Sequence, residues 1–230
     1  MTDALKQLEE PDIEFRSDMG VEFVAKMGDD KMVAQAARVS TLGLENDREK
    51  YVGLIKALMR EGHWSPFMHP TMTIAFDVPL FVRSQLVTHY SLARSEFSMR
   101  YAEAKPKFYV PSEYRKLVQV GKALDYRRER GTDEQKHHVQ LAHEQQAILA
   151  WTEYEEMIEA GIANEVARNV LPQSTYTTLW LTGNLRSWMS FLSNRNDPHA
   201  QAETHVAAAK VASIFAYHYP ITFEAWNENR

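Results

Sequence analysis

Residues 71–78 constrain the fold of this chain most tightly: Met72, Ile74, Phe76 and Val78 alternate with Thr71, Thr73, Ala75 and Asp77. That two-residue period predicts a strand with one face turned to a core. Pro79 ends it, and its fixed φ suits the first turn of a helix, predicted over about 80–92. Elsewhere the apolar residues recur at helical spacing. Tyr51, Leu54, Ile55, Leu58 and Met59 predict a helix over 48–61, stopped by Gly62. Ile148, Trp151, Tyr154 and Ile158 predict another over 142–160, closed by Gly161. Asn164 reads as the N-cap of a short helix ending before Pro172. Leu185, Trp188, Met189 and Leu192 predict a helix over 184–194. Asp197-Pro198 reads as the start of a last helix running through Tyr217. Residues 113–143 are polar and charged, and read as an exposed, partly helical excursion broken at Gly131. The sum is an α+β chain, mostly helical with a small mixed or antiparallel sheet, expected as one domain over 1–230.

The chain has no cysteine, which removes disulfides, thiolate metal sites and every cysteine-nucleophile mechanism. Chemistry must come from Ser, His, Arg, Glu, Tyr or a cofactor. A net charge of −5 argues against a nucleic-acid polymer as partner, while leaving room for a small anion held by local arginines. No apolar run is long enough to span a bilayer, and the acidic N-terminus does not read as a signal peptide, so a cytoplasmic protein without membrane contact is expected.

Three stretches concentrate groups able to do chemistry. The first, 83–101 (RSQLVTHYSLARSEFSMRY), holds Gln85, His89, Glu96, Ser98, Arg100 and Tyr101. Composition alone leaves it balanced between a solvated surface segment and a binding segment. Gln85 and His89 would share a helix face, and Glu96, Ser98 and Arg100 would share one face of an extended backbone. A carboxylate, a hydroxyl and a guanidinium together suit a uracil-like ring and a phosphate. The second, GHWSPFMH at 62–69, has His63 and His69 but no carboxylate or thiol to complete a metal set, so no metal is expected. A ring stacked on His63 or Trp64 is the better reading, against a plain pre-strand loop. The third spans 164–205. Arg168 sits among apolar residues, and Asn184, Arg186, Ser190, Arg195 and His199 punctuate apolar helices. His199 with Glu203, and Gln201 with His205, have i,i+4 spacing that fits a solvated or capping face better than a metal site. Arginines without a matching acidic run suit anionic ligands. With no GxGxxG, Walker loop or HExxH, a dinucleotide here is not held by a Rossmann turn.

The stretch THYSLARSEFSMRY (88–101) resembles the signature of the flavin-dependent thymidylate synthases, an Arg-His-Arg followed after seven residues by Ser. His89 and Ser98 fall in register. AARVS (36–40), GHWSPFMH (62–69), FVRSQ (81–85), EVARNVLP (165–172) and NLRSWMSFLSNRNDPHAQAE (184–203) are similar to further blocks of that family, in the same order. The resemblance implies a homotetramer with active sites shared between subunits, using FAD, NADPH and methylenetetrahydrofolate to methylate dUMP at C5. This agrees with the absence of cysteine, since the other class of thymidylate synthase needs a cysteine nucleophile. Carried over, Gln85, Glu96, Ser98, Met99, Arg100, Arg168 and Arg195 would contact dUMP. Arg195 would favour ionisation of the ring at N3, and Ser98 would lie at the reacting centre. Ser40, His63, Ser65, Thr88, His89, Tyr90, Glu96, Asn184, Arg186, Ser190 and His199 would contact FAD or folate.

The departures fall mostly on the flavin side. Thr88 and Tyr90 stand where the signature has arginine, Ser95 and Ser190 where asparagine is usual, and Met99 where glycine is usual. Two absent cations predict weaker flavin binding unless another arginine substitutes. Arg94, expected in the loop after the helix, is a better candidate than Arg83, which a straight helix points elsewhere. Two alternatives follow: another one-carbon modification of a pyrimidine nucleotide, such as hydroxymethylation, and a non-catalytic nucleotide-binding protein that has lost its flavin.

Overall fold

The alternation at 71–78 becomes a strand over Thr71–Pro79 in which Met72, Ile74, Phe76 and Val78 are at most 1% exposed. The computed structural model describes residues 12–43, 50–122 and 125–230. Its elements run β1 (Glu14–Arg16), β2 (Gly20–Met27), α1 (Asp30–Leu42), α2 (Val52–Arg60), a 3₁₀ turn (Ser65–Met68), β3 (Thr71–Pro79), α3 (Leu80–Leu86), β4 (Ala93–Glu96) and β5 (Lys107–Tyr109). They continue with β6 (Val118–Lys122), β7 (Asp125–Glu129), α4 (Asp133–Glu159), α5 (Asn164–Ala167), a second 3₁₀ turn (Arg168–Val170), β8 (Tyr176–Asn184), α6 (Leu185–Arg195), α7 (Ala202–His218) and α8 (Pro220–Glu228). The class is α+β, with helix in the majority. The elements gather into two compact units, described in turn.

The sheet unit comprises Met19–Val78, Val82–Glu96 and Thr178–Arg230. Its four strands lie in the order β2-β3-β8-β4. The β2–β3 pair is antiparallel, with a register irregularity between Phe23 and Ala25, and so is the β4–β8 pair. The Thr73 and Thr182 hydroxyls meet at 2.9 Å, joining β3 to β8. Trp188 on α6 is fully buried, and its indole N–H donates to the Met72 carbonyl at 3.0 Å. Asp30, the first residue of α1, is also buried. Its carboxylate accepts from the N–H groups of Ile221 and Thr222 and from the Thr222 hydroxyl, at 3.0, 2.9 and 2.6 Å. It thereby satisfies donors that the start of α8 cannot pair internally.

The long-helix unit comprises residues 12–18, Pro79–Phe81 and Phe97–Thr177. Its core sets Ala147, Trp151 and Tyr154 of α4 against Met99, Phe108, Ala167 and Leu171. The Tyr154 hydroxyl accepts from the Ala104 N–H at 2.8 Å. β1 and β5 pair in parallel, and β6 and β7 form an antiparallel hairpin.

Several elements differ from the sequence expectations, each for a local reason. The helix after Pro79 stops at Leu86, six residues short of 92. The excursion at 113–143 contains the β6–β7 hairpin, and α4 begins at Asp133 rather than 142, because Thr132 and Gln135 form a reciprocal capping box. Positions 123–124 of that excursion, the first two positions of the helix expected over 48–61, and residues 1–11 lie outside the described residues. Asn164 is the first residue of α5 and Ala163 its cap. The last long helix begins at Ala202, because Asp197 spends its carboxylate on the turn that follows it, accepting from the His199 N–H at 2.7 Å. Gly62 carries φ of 69° just after α2, the left-handed stop its position predicted.

Candidate active site

Arg195, the last residue of α6, is the best-organised cation of the sheet unit. Its Nε donates to His89 Nε2 at 3.1 Å and its Nη2 to Thr88 Oγ1 at 2.7 Å. No carboxylate among the described residues pairs with it. The two acceptors are delivered by the turn after α3, where Leu92 N–H donates to the His89 carbonyl at 3.0 Å. His89 therefore lies beyond the helix that carries Gln85, and the expected shared helix face does not form. Its ring packs edge-on to Phe191 at 5.0 Å. Burial, and then the Arg195 charge, hold its pKa below the usual value. Both effects favour the neutral ring, whose Nε2 lone pair is what Arg195 needs.

Gln85, on α3, has its side chain spoken for on both ends. Its Nε2 donates to Gln201 Oε1 at 2.5 Å, and its Oε1 accepts from the buried Thr204 hydroxyl at 3.1 Å. Glu96, at the end of β4, is gripped by Arg83 of α3. Nε lies 2.8 Å from both carboxylate oxygens, and Nη2 adds a further bond to Oε2. Arg83 is thus engaged, and Arg94 sits not in a loop but on β4, where it is exposed.

The remaining sheet-unit candidates are mostly exposed. Ser40 bonds to the Ala37 carbonyl within α1 at 3.1 Å. His63 follows Gly62, and its N–H bonds to the Leu58 carbonyl at 2.9 Å. Ser65 opens the first 3₁₀ turn beside Trp64, and Arg186 lies over the Trp64 ring at 5.5 Å. Asn184 is the N-cap of α6, accepting from the Ser187 N–H at 2.9 Å, so part of its role is structural. Ser190 is exposed on α6, and Tyr90 is 99% exposed. His199 precedes α7, with Nδ1 2.9 Å from Asp197 Oδ1, so its i,i+4 spacing to Glu203 does not fall on one helix.

In the long-helix unit, Ser98, Met99, Arg100 and Arg168 are the candidates. The extended run expected to align Glu96, Ser98 and Arg100 ends at Glu96. Ser98 opens a tight turn instead, its carbonyl accepting from Tyr101 N–H at 3.0 Å and Ala102 N–H at 3.1 Å. Its hydroxyl has one near partner, the Arg100 N–H at 3.4 Å. The Met99 side chain belongs to the apolar core, which leaves its main chain for any ligand contact. Arg100 pairs with Glu165 at 3.2 Å, with both side chains about half exposed. Arg168 is half-buried on the second 3₁₀ turn, its carbonyl accepts from the Leu171 N–H at 3.2 Å, and its guanidinium has no hydrogen-bond or ion-pair partner among the described residues. Sequence reasoning missed Thr204 and assigned Gln201 no part with Gln85. Their separation from it, 119 and 116 residues, leaves no sequence signal.

The chain is similar along most of its length to known proteins. The family described as thymidylate synthase complementing protein matches residues 22–221. A flavin-dependent thymidylate synthase of Streptomyces coelicolor is 40% identical over 235 residues, covering 96% of both chains. One from Tropheryma whipplei is 37% identical over 229 residues, covering 93% of this chain and 94% of that one. Among solved structures, the UMP/dUMP methylase PolB of Streptomyces cacaoi bound with 5-Br UMP superposes with a TM-score of 0.88 at 38% identity, covering 95% of this chain and 98% of that one. The same protein bound with 5-Br dUMP gives 0.87 at 39%. A family match over residues 22–221 and a relative 40% identical along 96% of both chains define the class: the chain belongs to the flavin-dependent thymidylate synthase family.

Proposed function

We propose that the chain methylates C5 of dUMP to give dTMP, with methylenetetrahydrofolate as carbon donor, reduced FAD as hydride donor and NADPH as the source of electrons. The observation that carries this reading is Arg195: a full positive charge fixed in direction by two neutral acceptors. Such a cation favours the anionic form of a pyrimidine ring deprotonated at N3. Gln85, Glu96, Ser98, the Met99 main chain, Arg100 and Arg168 are proposed as further dUMP contacts. The donor set fits a flavin. Arg186 is an exposed cation with an aromatic neighbour and no acidic partner among the described residues. Asn184, Ser65, Ser40, Ser190, His63 and His199 add hydrogen-bonding groups. Bound FAD supplies the hydride, and this chain's residues orient the ring and set its charge. Thr88, His89, Tyr90 and Glu96 are proposed to face the same cofactor or folate.

A second reading concerns the sugar. A solved relative at 38% identity is a UMP/dUMP methylase, which supports UMP as an additional substrate here. The test is to incubate the yellow holoprotein with folate, NADPH and either dUMP or UMP, then weigh the nucleotide. A methylated dUMP supports the proposal. A hydroxymethylated product, or a colourless protein with no product, replaces it with another one-carbon reaction or a non-catalytic role.

Three results are expected alongside. Arg168→Ala should weaken dUMP binding by about 1.5–3 kcal/mol, the worth of a charge-assisted contact, while leaving flavin binding intact. Calorimetry showing an unchanged dUMP dissociation constant contradicts the phosphate role. Ser98→Ala should bind dUMP less tightly yet retain turnover, because no base among the described residues holds its hydroxyl, and an unactivated serine is a poor nucleophile. A nucleotide adduct trapped on Ser98 and found by peptide mass spectrometry would sink this. The active species is proposed as a homotetramer, so light scattering should report four times the 26.5 kDa chain; a monomer at micromolar concentration refutes it.

A further inference from the structure

We propose that Thr88 is a positioning residue for Arg195, and that a neutral acceptor at this position holds the guanidinium still without supplying it a counter-charge. The inference rests on the reading of Arg195 as the group acting on the pyrimidine. The Thr88 hydroxyl has one hydrogen and two lone pairs. Its hydrogen is spent on the Gln85 carbonyl at 2.8 Å, so a lone pair is left to face Arg195 Nη2 at 2.7 Å. Donation to Gln85 polarises the oxygen and strengthens it as an acceptor. Gln85 is itself fixed through its side chain by Gln201 and by the buried Thr204. Thr88 thereby ties the guanidinium to an anchored part of the sheet unit, and His89 holds the second donor.

The chemistry of the two acceptors matters more than their number. A carboxylate in either place would hold Arg195 equally still but pair with it and screen its field from a ligand. A hydroxyl and a neutral imidazole orient the fork and leave its field for a ligand, which is the condition for preorganised electrostatic stabilisation. On this view Thr88 does not stand in for a flavin-binding arginine. Its polar group is directed at Arg195.

The test uses the holoenzyme with Thr88→Ser, Thr88→Val and Thr88→Arg. Val keeps the shape and removes the hydroxyl. It should lower kcat about tenfold, the loss of one charge-assisted hydrogen bond, with little change in KM for the nucleotide or in Tm. Ser should restore kcat to near the native value. Arg, the signature residue at this position, offers Arg195 no acceptor and should lower kcat as Val does. Independently of activity, the Arg195 Nε–H resonance should be slow-exchanging in the native protein and Thr88→Ser, and exchange-broadened in Thr88→Val. Native kcat with an unchanged Arg195 resonance in Thr88→Val overturns the inference, as does a gain of activity in Thr88→Arg. Arg195→Ala separates the two layers. If it leaves turnover intact, the underlying reading of Arg195 fails; if it abolishes turnover while Thr88→Val behaves as native, only the positioning role fails.

Discussion

Replacing Arg195 by alanine is expected to lower kcat about 100- to 1,000-fold, the cost of removing one preorganised electrostatic group from a reacting centre. Arg195→Lys should recover little of it. A lysine carries the charge but not the planar fork, and one ammonium cannot reproduce the paired directions of Nε to His89 and Nη2 to Thr88. Because the proposed interaction is strongest when the ring is anionic, the loss should fall on kcat more than on KM for dUMP. His89 offers a second readout. Its pKa is depressed by burial first and by the Arg195 charge second, so removing the charge should raise it partway toward the ordinary value, measurable by NMR titration. The sign for pH follows. Protonated His89 has no lone pair for Arg195, so the bond survives above the depressed folded pKa and is lost on falling through it. The unfolded chain takes up that proton at a higher pH, so the contribution to stability begins to fall below about pH 6.5. An Arg195→Ala enzyme that turns over at the native rate across this range refutes both the role and the coupling.

What the sequence disclosed, and what it hid, follows from how far apart the interacting residues lie. β3 was legible because its alternation is strict and Pro79 punctuates it. β8 was not. Leu179 and Leu181 point inward, but Trp180 between them is 54% exposed, and an outward tryptophan erases the apolar-polar rhythm. The β6–β7 hairpin hides for the opposite reason: VQVGK and DYRRE bury nothing, so neither strand shows a core face. The start of α4 was written in Thr132 and Gln135, but the charged run DEQKHH after them made the segment read as solvated surface.

The candidate site was legible as a set of residue types and illegible as a set of partnerships. Arg168 drew notice as a cation among apolar residues, and its guanidinium is left without a partner among the described residues. Arg83 looked like a helix residue facing elsewhere, whereas it grips Glu96 across a turn of 13 residues. Thr88 looked like a lost cation, whereas its hydroxyl serves an arginine 107 residues away. A hydrogen bond of that span depends on tertiary placement, which no local pattern encodes.

Asp30→Ala is expected to produce the largest loss of stability of any substitution considered, about 3–4 kcal/mol by urea denaturation with an unchanged m-value. Asp30 is buried, and its two oxygens are the acceptors for Ile221 N–H, Thr222 N–H and the Thr222 hydroxyl. Alanine strands three donors at the start of α8, where the first N–H groups have no partner within the helix. Desolvated donors cost more than the net worth of the bonds they lose, so the effect exceeds that of deleting the hydroxyl alone by Thr222→Val. Asp30→Asn should fall between. One oxygen still accepts from Thr222, but an amide NH2 now faces one of the remaining donors. The comparison that isolates burial as the cause is Lys56 on α2, whose ammonium lies 3.3 Å from Glu224 and 3.1 Å from Glu228 of the same helix. That network is solvated, so Lys56→Ala should change stability little. Both substitutions loosen α8 from a neighbouring helix, α1 in one case and α2 in the other. If Lys56→Ala costs as much as Asp30→Ala, the position of α8 is set by surface charge rather than by the buried carboxylate, and the account given for Asp30 is wrong.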